Sequence, residues 1–236
     1  MGWQDWRRHF ERSAQRPLPP VTPPQLDAAK HAALLASLKK FQLGEAGEGR
    51  VAQEVDRVML AGIDGDYRAA FKRFIAEEGR HARILKGMVE ALGGEILRKQ
   101  WAEQIFVHIR RCFGFRFKLT VLQAAEVIGI GFYGVLAASL PPCELNDALR
   151  QICGDEEHHL RFHRDFFATQ RGSLTGELLR WLWWPLGTFA AAAMLFDHRR
   201  SLRALEIPLP VTARRLWREI VRAQPDGRAA ALSSAA

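Results

Sequence analysis

Residues 119–140, LTVLQAAEVIGIGFYGVLAASL, contain a single charged side chain, Glu126, and no other charge lies between Lys118 and Glu144. A helix that is apolar on every side is buried in a protein core or crosses a membrane. A carboxylate in such surroundings costs several kcal/mol unless it stays protonated, is hydrogen-bonded or meets a cation. Glu126 therefore asks for a basic side chain, a polar network or a metal ion. The flanking sequence decides which.

Thirty residues beyond Glu126 stands Asp155-Glu156-Glu157-His158-His159, and upstream Glu77-Glu78-Gly79-Arg80-His81 repeats its form. Glu48 lies thirty residues before Glu78, so Glu followed by Glu-x-x-His occurs twice at equal spacing. Residues three apart on a helix stack one turn above the other on a single face. A glutamate and a histidine so placed reach the same inward point. Four carboxylates would match two divalent ions, and neutral imidazole with carboxylate suits iron and manganese. An isolated Glu-x-x-His is more often a solvated helix face. Here both copies fall on apolar stripes: Tyr67, Phe71, Phe74, Glu78, His81, Leu85 and Met88 in one helix, and Leu145, Leu149, Ile152, Glu156, His159, His163 and Phe166 in another.

The ligand order Glu48, Glu78, His81, Glu126, Glu156, His159 resembles that of the ferritin-like di-iron carboxylate superfamily. Two local likenesses accompany it. Ala46-Gly47-Glu48 is similar to the first-helix motif of the demethoxyubiquinone hydroxylases. Glu77-Glu78-x-Arg80-His81 and Asp155-Glu156-x-x-His159 are similar to the EExRH and DExxH motifs of acyl-carrier-protein desaturases, with His158 where that family has arginine and a much shorter chain overall. The resemblance covers the ligand helices. It implies an all-α, ferritin-like four-helix bundle with a long crossover, and a metal site of two iron ions, with manganese or a mixed manganese–iron pair as alternatives. It further implies an oxygen-activating oxidoreductase that hydroxylates, desaturates or oxidises a small apolar substrate with dioxygen and an electron donor. Two other readings stay open: peroxide or iron handling as in rubrerythrin- and bacterioferritin-like proteins, and a non-catalytic helical scaffold or membrane-binding protein with a relict metal site.

Several neighbours of these ligands have a second reading. Glu45 lies one turn before Glu48 and is its rival; Glu48 keeps the thirty-residue repeat. Glu77 and Asp155, each preceding a ligand glutamate, are placed to hydrogen-bond the far nitrogen of a ligand histidine. His163 reads as a core histidine ahead of a seventh ligand. Tyr133, two turns past Glu126, is the candidate catalytic residue, although a core tyrosine with a satisfied hydroxyl is commoner. Gly129, Gly131 and Gly134 either open a pocket or admit a close neighbouring helix.

The expected organisation is an N-terminal segment and Pro-rich linker (1–25), the bundle (26–168), a helical C-terminal extension (169–224) and a disordered tail (225–236). The first bundle helix is expected from Leu26 to about Gly62, kinked near Gly44, Gly47 and Gly49, with Glu48, Val51, Ala52, Val55 and Met59 on its core face. The second is expected from about Asp66 to Leu92, ended by Gly93-Gly94. A crossover over 95–116 carries a helical piece around Trp101, Ile105 and Ile109. The third helix stops at Pro141-Pro142, and the fourth runs from about Glu144 to Ala168.

Length and composition fit one such domain with an appendage: 236 residues, 48% hydrophobic. The net charge of +8 suits an anionic membrane surface or acidic partner, and no basic array interleaved with aromatics speaks for nucleic acid. Cys112, Cys143 and Cys153 form no CxxC pair, which excludes a rubredoxin-like iron domain, and free thiols suit a cytoplasmic setting. The N-terminus lacks the apolar run of a signal peptide. Trp181 to Phe196 is uncharged but only sixteen residues long, short of the roughly twenty a membrane span needs. It reads as a fifth helix on the bundle, or as an interfacial element peripheral to the inner face of a membrane. A homodimer also remains open.

Overall fold

The computed structural model describes residues 1–46, 51–101, 104–105, 107–108 and 114–224. Among these the chain forms eight α-helices and no strand: α1 (Trp3–Ala14), α2 (Ala28–Glu45), α3 (Val51–Glu54), α4 (Gly65–Ala91), α5 (Phe115–Ser139), α6 (Glu144–Thr169), α7 (Leu174–Ala204) and α8 (Leu209–Arg222). The all-α class holds, with helix packed on helix as in a helical bundle. The chain divides into two compact units, Met1–His108 with Pro141–Ala148, and Ile109–Leu140 with Leu149–Ala236.

In the first unit α4 is the central element, with α1 and α2 packed on it. Asp64 starts α4 by accepting the Tyr67 N–H at 2.7 Å, satisfying one of the orphan donors of a helix N-terminus. Gly93 ends it in the left-handed region at φ 72°, with Gly93 N–H donating to Glu90 O and Gly94 N–H to Val89 O, both at 2.9 Å. That bond pair is the Schellman closure, which glycine adopts without a Cβ penalty. The apolar stripe of α4 is buried throughout. The N-terminal segment is part of this unit: Trp6 and Phe10 of α1 are buried, and Phe10 meets Phe74 of α4. The proline-rich stretch runs extended and is tied at Thr22, whose carbonyl accepts the Leu145 N–H at 3.2 Å.

The first bundle helix differs from its expected extent. α2 stops at Glu45, and after α3 a 3₁₀ turn, Val55–Arg57, closes the segment. Val51 and Val55 are buried as expected, but Met59 is 88% exposed because the chain leaves the helix before reaching it. Gly47, Glu48 and Gly49 lie outside the described residues, as do Ile109 of the expected crossover helix, Cys112, and the whole of 225–236.

In the second unit α5, α7 and α8 pack on one another. Phe115–Ser139 is, among the described residues, the one helix long and apolar enough to cross a membrane, and 83% of its most apolar stretch is buried inside the protein. It is a core helix. Its glycines admit α8: a Cβ on Gly131 would stand 2.6 Å from Leu216 Cδ2, and one on Gly134 would stand 3.4 Å from the Arg215 guanidinium. Close packing is thus what these two positions serve. α5 and α6 run antiparallel, with Phe115 near Phe166 and Arg150 donating to Ala137 O. The segment Trp181–Phe196 lies within the 31-residue α7, whose Trp183 is fully buried and donates Nε1–H to Ile220 O at 3.0 Å.

Candidate metal centre

Each Glu-x-x-His sits in the middle of a long helix on the stripe its sequence predicts. On α4, His81 Nδ1 lies 3.7 Å from Glu78 Oε2, with side chains 0% and 4% exposed. On α6, His159 Nδ1 lies 3.0 Å from Glu156 Oε2, with side chains 0% and 1% exposed. The three-residue spacing is what stacks each imidazole against the carboxylate one turn earlier. Among the described residues, Glu78 with His81 on α4 and Glu156 with His159 on α6 are each a buried Glu/His pair able to offer ligand atoms to a metal ion. Phe74 and Leu85 bracket the pair on α4, and Ile152 and Phe162 bracket the pair on α6; all four are buried. Water is therefore displaced from both pairs by apolar side chains on their own helices.

Glu126 is buried on α5, and its Oε1 lies 2.9 Å from His163 Nε2 on α6. His163 is fully buried, one turn beyond His159. His163 is thus the hydrogen-bonding core histidine that the sequence suggested, and its partner is the predicted ligand Glu126. The signal was present in the i, i+4 spacing from His159, but nothing in a single sequence ties position 163 to position 126. Glu45 is half-buried at the end of α2 and belongs to neither Glu/His pair. Its rival Glu48 lies outside the described residues. Tyr133 is fully buried on α5.

Glu77 turns to the N-terminal segment. Ser13 Oγ donates to Glu77 Oε1, and Arg16 lies 3.1 Å from the same oxygen. Beside it, Arg80 donates to the carbonyl of Pro17 at 2.6 Å. Glu77 and Arg80 thus hold residues 13–17 in place, a role with no periodic signature in the sequence. Asp155 is buried beside Glu156.

Cys153 stands one turn before Glu156. Burial, reinforced by the Glu156 charge, pushes its thiol up to about 12 from the usual 9.0. The native state therefore favours the protonated thiol. That contribution to stability is complete below pH 9.0 and is lost as pH rises towards about 12. Native Cys153 is expected to resist iodoacetamide at neutral pH, where only thiolate reacts, and to label promptly once the chain is unfolded. Peptide mass spectrometry after timed alkylation measures this; rapid native labelling at Cys153 would contradict it.

Compared with protein-family models, curated proteins and solved structures, the chain matches none.

Proposed function

We propose that this chain is a di-iron carboxylate oxidoreductase of ferritin-like type, in which the two Glu-x-x-His pairs serve one metal centre that Glu126 and Glu48 complete. The observation that carries the reading is the burial of both pairs, with four ligand-type side chains no more than 4% exposed. Carboxylates do not stay charged at that depth without compensating partners. The donor set fits iron or manganese: it offers oxygen and imidazole nitrogen and no thiolate. When bound, the metal would supply activation of dioxygen for oxidation of an apolar organic substrate, with electrons from a separate donor.

The residues of the chain have definite parts in that chemistry. Glu78, His81, Glu156 and His159 would hold the metal, each histidine oriented by the glutamate one turn before it. His163, within hydrogen-bond distance of Glu126, would fix that carboxylate in direction. Phe74, Leu85, Ile152 and Phe162 would keep bulk water from the ligands, which strengthens every electrostatic interaction among them.

Anaerobic reconstitution with ferrous iron tests the reading. Two ions per chain are expected, with an optical change on admitting dioxygen that is slow until an apolar substrate is present. Failure to hold stoichiometric iron or manganese would overturn the proposal. Rapid turnover of hydrogen peroxide with a reductant alone would instead favour a peroxidase of rubrerythrin type.

A further inference from the structure

α7 is apolar on two opposite faces. One face packs inward through Trp183, Ala190 and Met194, all at most 7% exposed. The opposite face exposes Leu174, Leu178, Trp181, Phe189 and Phe196, which are 47–92% accessible. At about 100° per residue these five fall within an arc of about 80°, and exposed Pro185 and Ala192 fill the gaps between them. The stripe runs unbroken for about 33 Å. Beyond Phe196 the same arc continues into Arg199, whose guanidinium lies 4.0 Å over the Phe196 ring, and exposed Arg203. α8 widens the surface, with half-exposed Trp217 5.7 Å from the Trp184 ring and with exposed Arg214 and Arg218.

We propose that this face of α7, with the adjoining edge of α8, docks onto an anionic lipid surface, the helix lying in the interface plane. This goes beyond the metal reading and does not depend on it. A contiguous exposed apolar stripe of this length marks an interaction site. The inward face of α7 is committed to packing, so the helix lies on a bilayer and does not cross it. Charge chooses the occupant. From Leu174 to Arg222 the chain has eight arginines against Glu177, Asp197, Glu206 and Glu219. Of those four acids, Glu219 is buried and ion-paired with Arg215, Asp197 is 10% exposed, and Glu177 is paired with Arg180. A second copy would bring the same positive charge against itself, whereas anionic headgroups would neutralise it. Tryptophan and arginine at the edge of an apolar stripe are what the headgroup region accommodates.

The test is flotation of the full chain with vesicles of phosphatidylcholine alone or with about one third phosphatidylglycerol. Binding is expected to the anionic vesicles, weakened by high salt. Trp181→Glu with Phe189→Glu, both exposed and so compatible with folding, is expected to weaken it at least about tenfold. Arg200→Glu with Arg203→Glu is expected to lose at least about tenfold on the anionic vesicles alone. Light scattering without lipid reads the self-association alternative. Absence of flotation at low salt overturns the proposal. So does an apolar-stripe variant that turns a dimer into a monomer while floating as the native chain does.

Discussion

Replacing His81 and His159 together by glutamine is expected to lower iron affinity by more than about a hundredfold and to abolish stoichiometric loading. The single variants are more informative still. If the two pairs serve one centre, His81→Gln alone should cost both ions, because ions that share one ligand set would bind together. If each pair binds independently, each single variant should lose one ion and keep the other. Anaerobic equilibrium dialysis with metal analysis separates these outcomes. Native-like loading in the double variant would sink the proposed centre. Glutamine keeps the polarity and most of the volume of the buried sites, so folding should survive, and circular dichroism checks it.

Much of this was legible in the sequence, for reasons that differ from place to place. The stripes of α4 and α6 were readable because apolar side chains that recur every 3.6 residues over about six turns mark one buried helix face. The end of α4 was readable because Gly93-Gly94 has a specific geometric use. Periodicity alone carries α2 too far: the chain stops the helix at Glu45 and exits through a 3₁₀ turn that brings Met59 into solvent. Charge on an apolar background identified Glu126 as a residue in need of a partner but could not name His163, since the bond spans thirty-seven residues. The same limit hid Ser13 and Arg16, which reach Glu77 from the end of α1 and the start of the linker. Local pattern shows which face is buried; long-range pairing within that face is a property of packing. The outer stripe of α7 fell between these cases. Its composition was plain, but only exposure distinguishes an apolar helix packed on one face from one apolar on two.

The pairing of Glu126 with His163 supplies the second large effect, and it can be measured without metal. The two side chains are 5% and 0% exposed and 2.9 Å apart. His163→Leu removes the donor and leaves the carboxylate of Glu126 in an apolar helix, an arrangement that costs about 3–5 kcal/mol where a buried pair is broken from one side. Glu126→Gln keeps an acceptor oxygen for the imidazole and should cost little in the apoprotein, about 1 kcal/mol or less. The double variant Glu126→Leu/His163→Leu replaces both polar groups by apolar ones and should recover most of what His163→Leu loses. Denaturant unfolding of the metal-free variants gives the coupling energy of the cycle. A near-zero coupling would mean that the contact is incidental and that other groups satisfy Glu126. Metal loading then distinguishes structure from ligation. Glu126→Gln, nearly neutral to apoprotein stability, should still lose iron if Glu126 is a ligand, because a neutral amide neither bridges nor balances a divalent ion. Full loading in that variant would leave Glu126 and His163 as a buried polar pair of the core, with the metal held by the two Glu-x-x-His pairs without it.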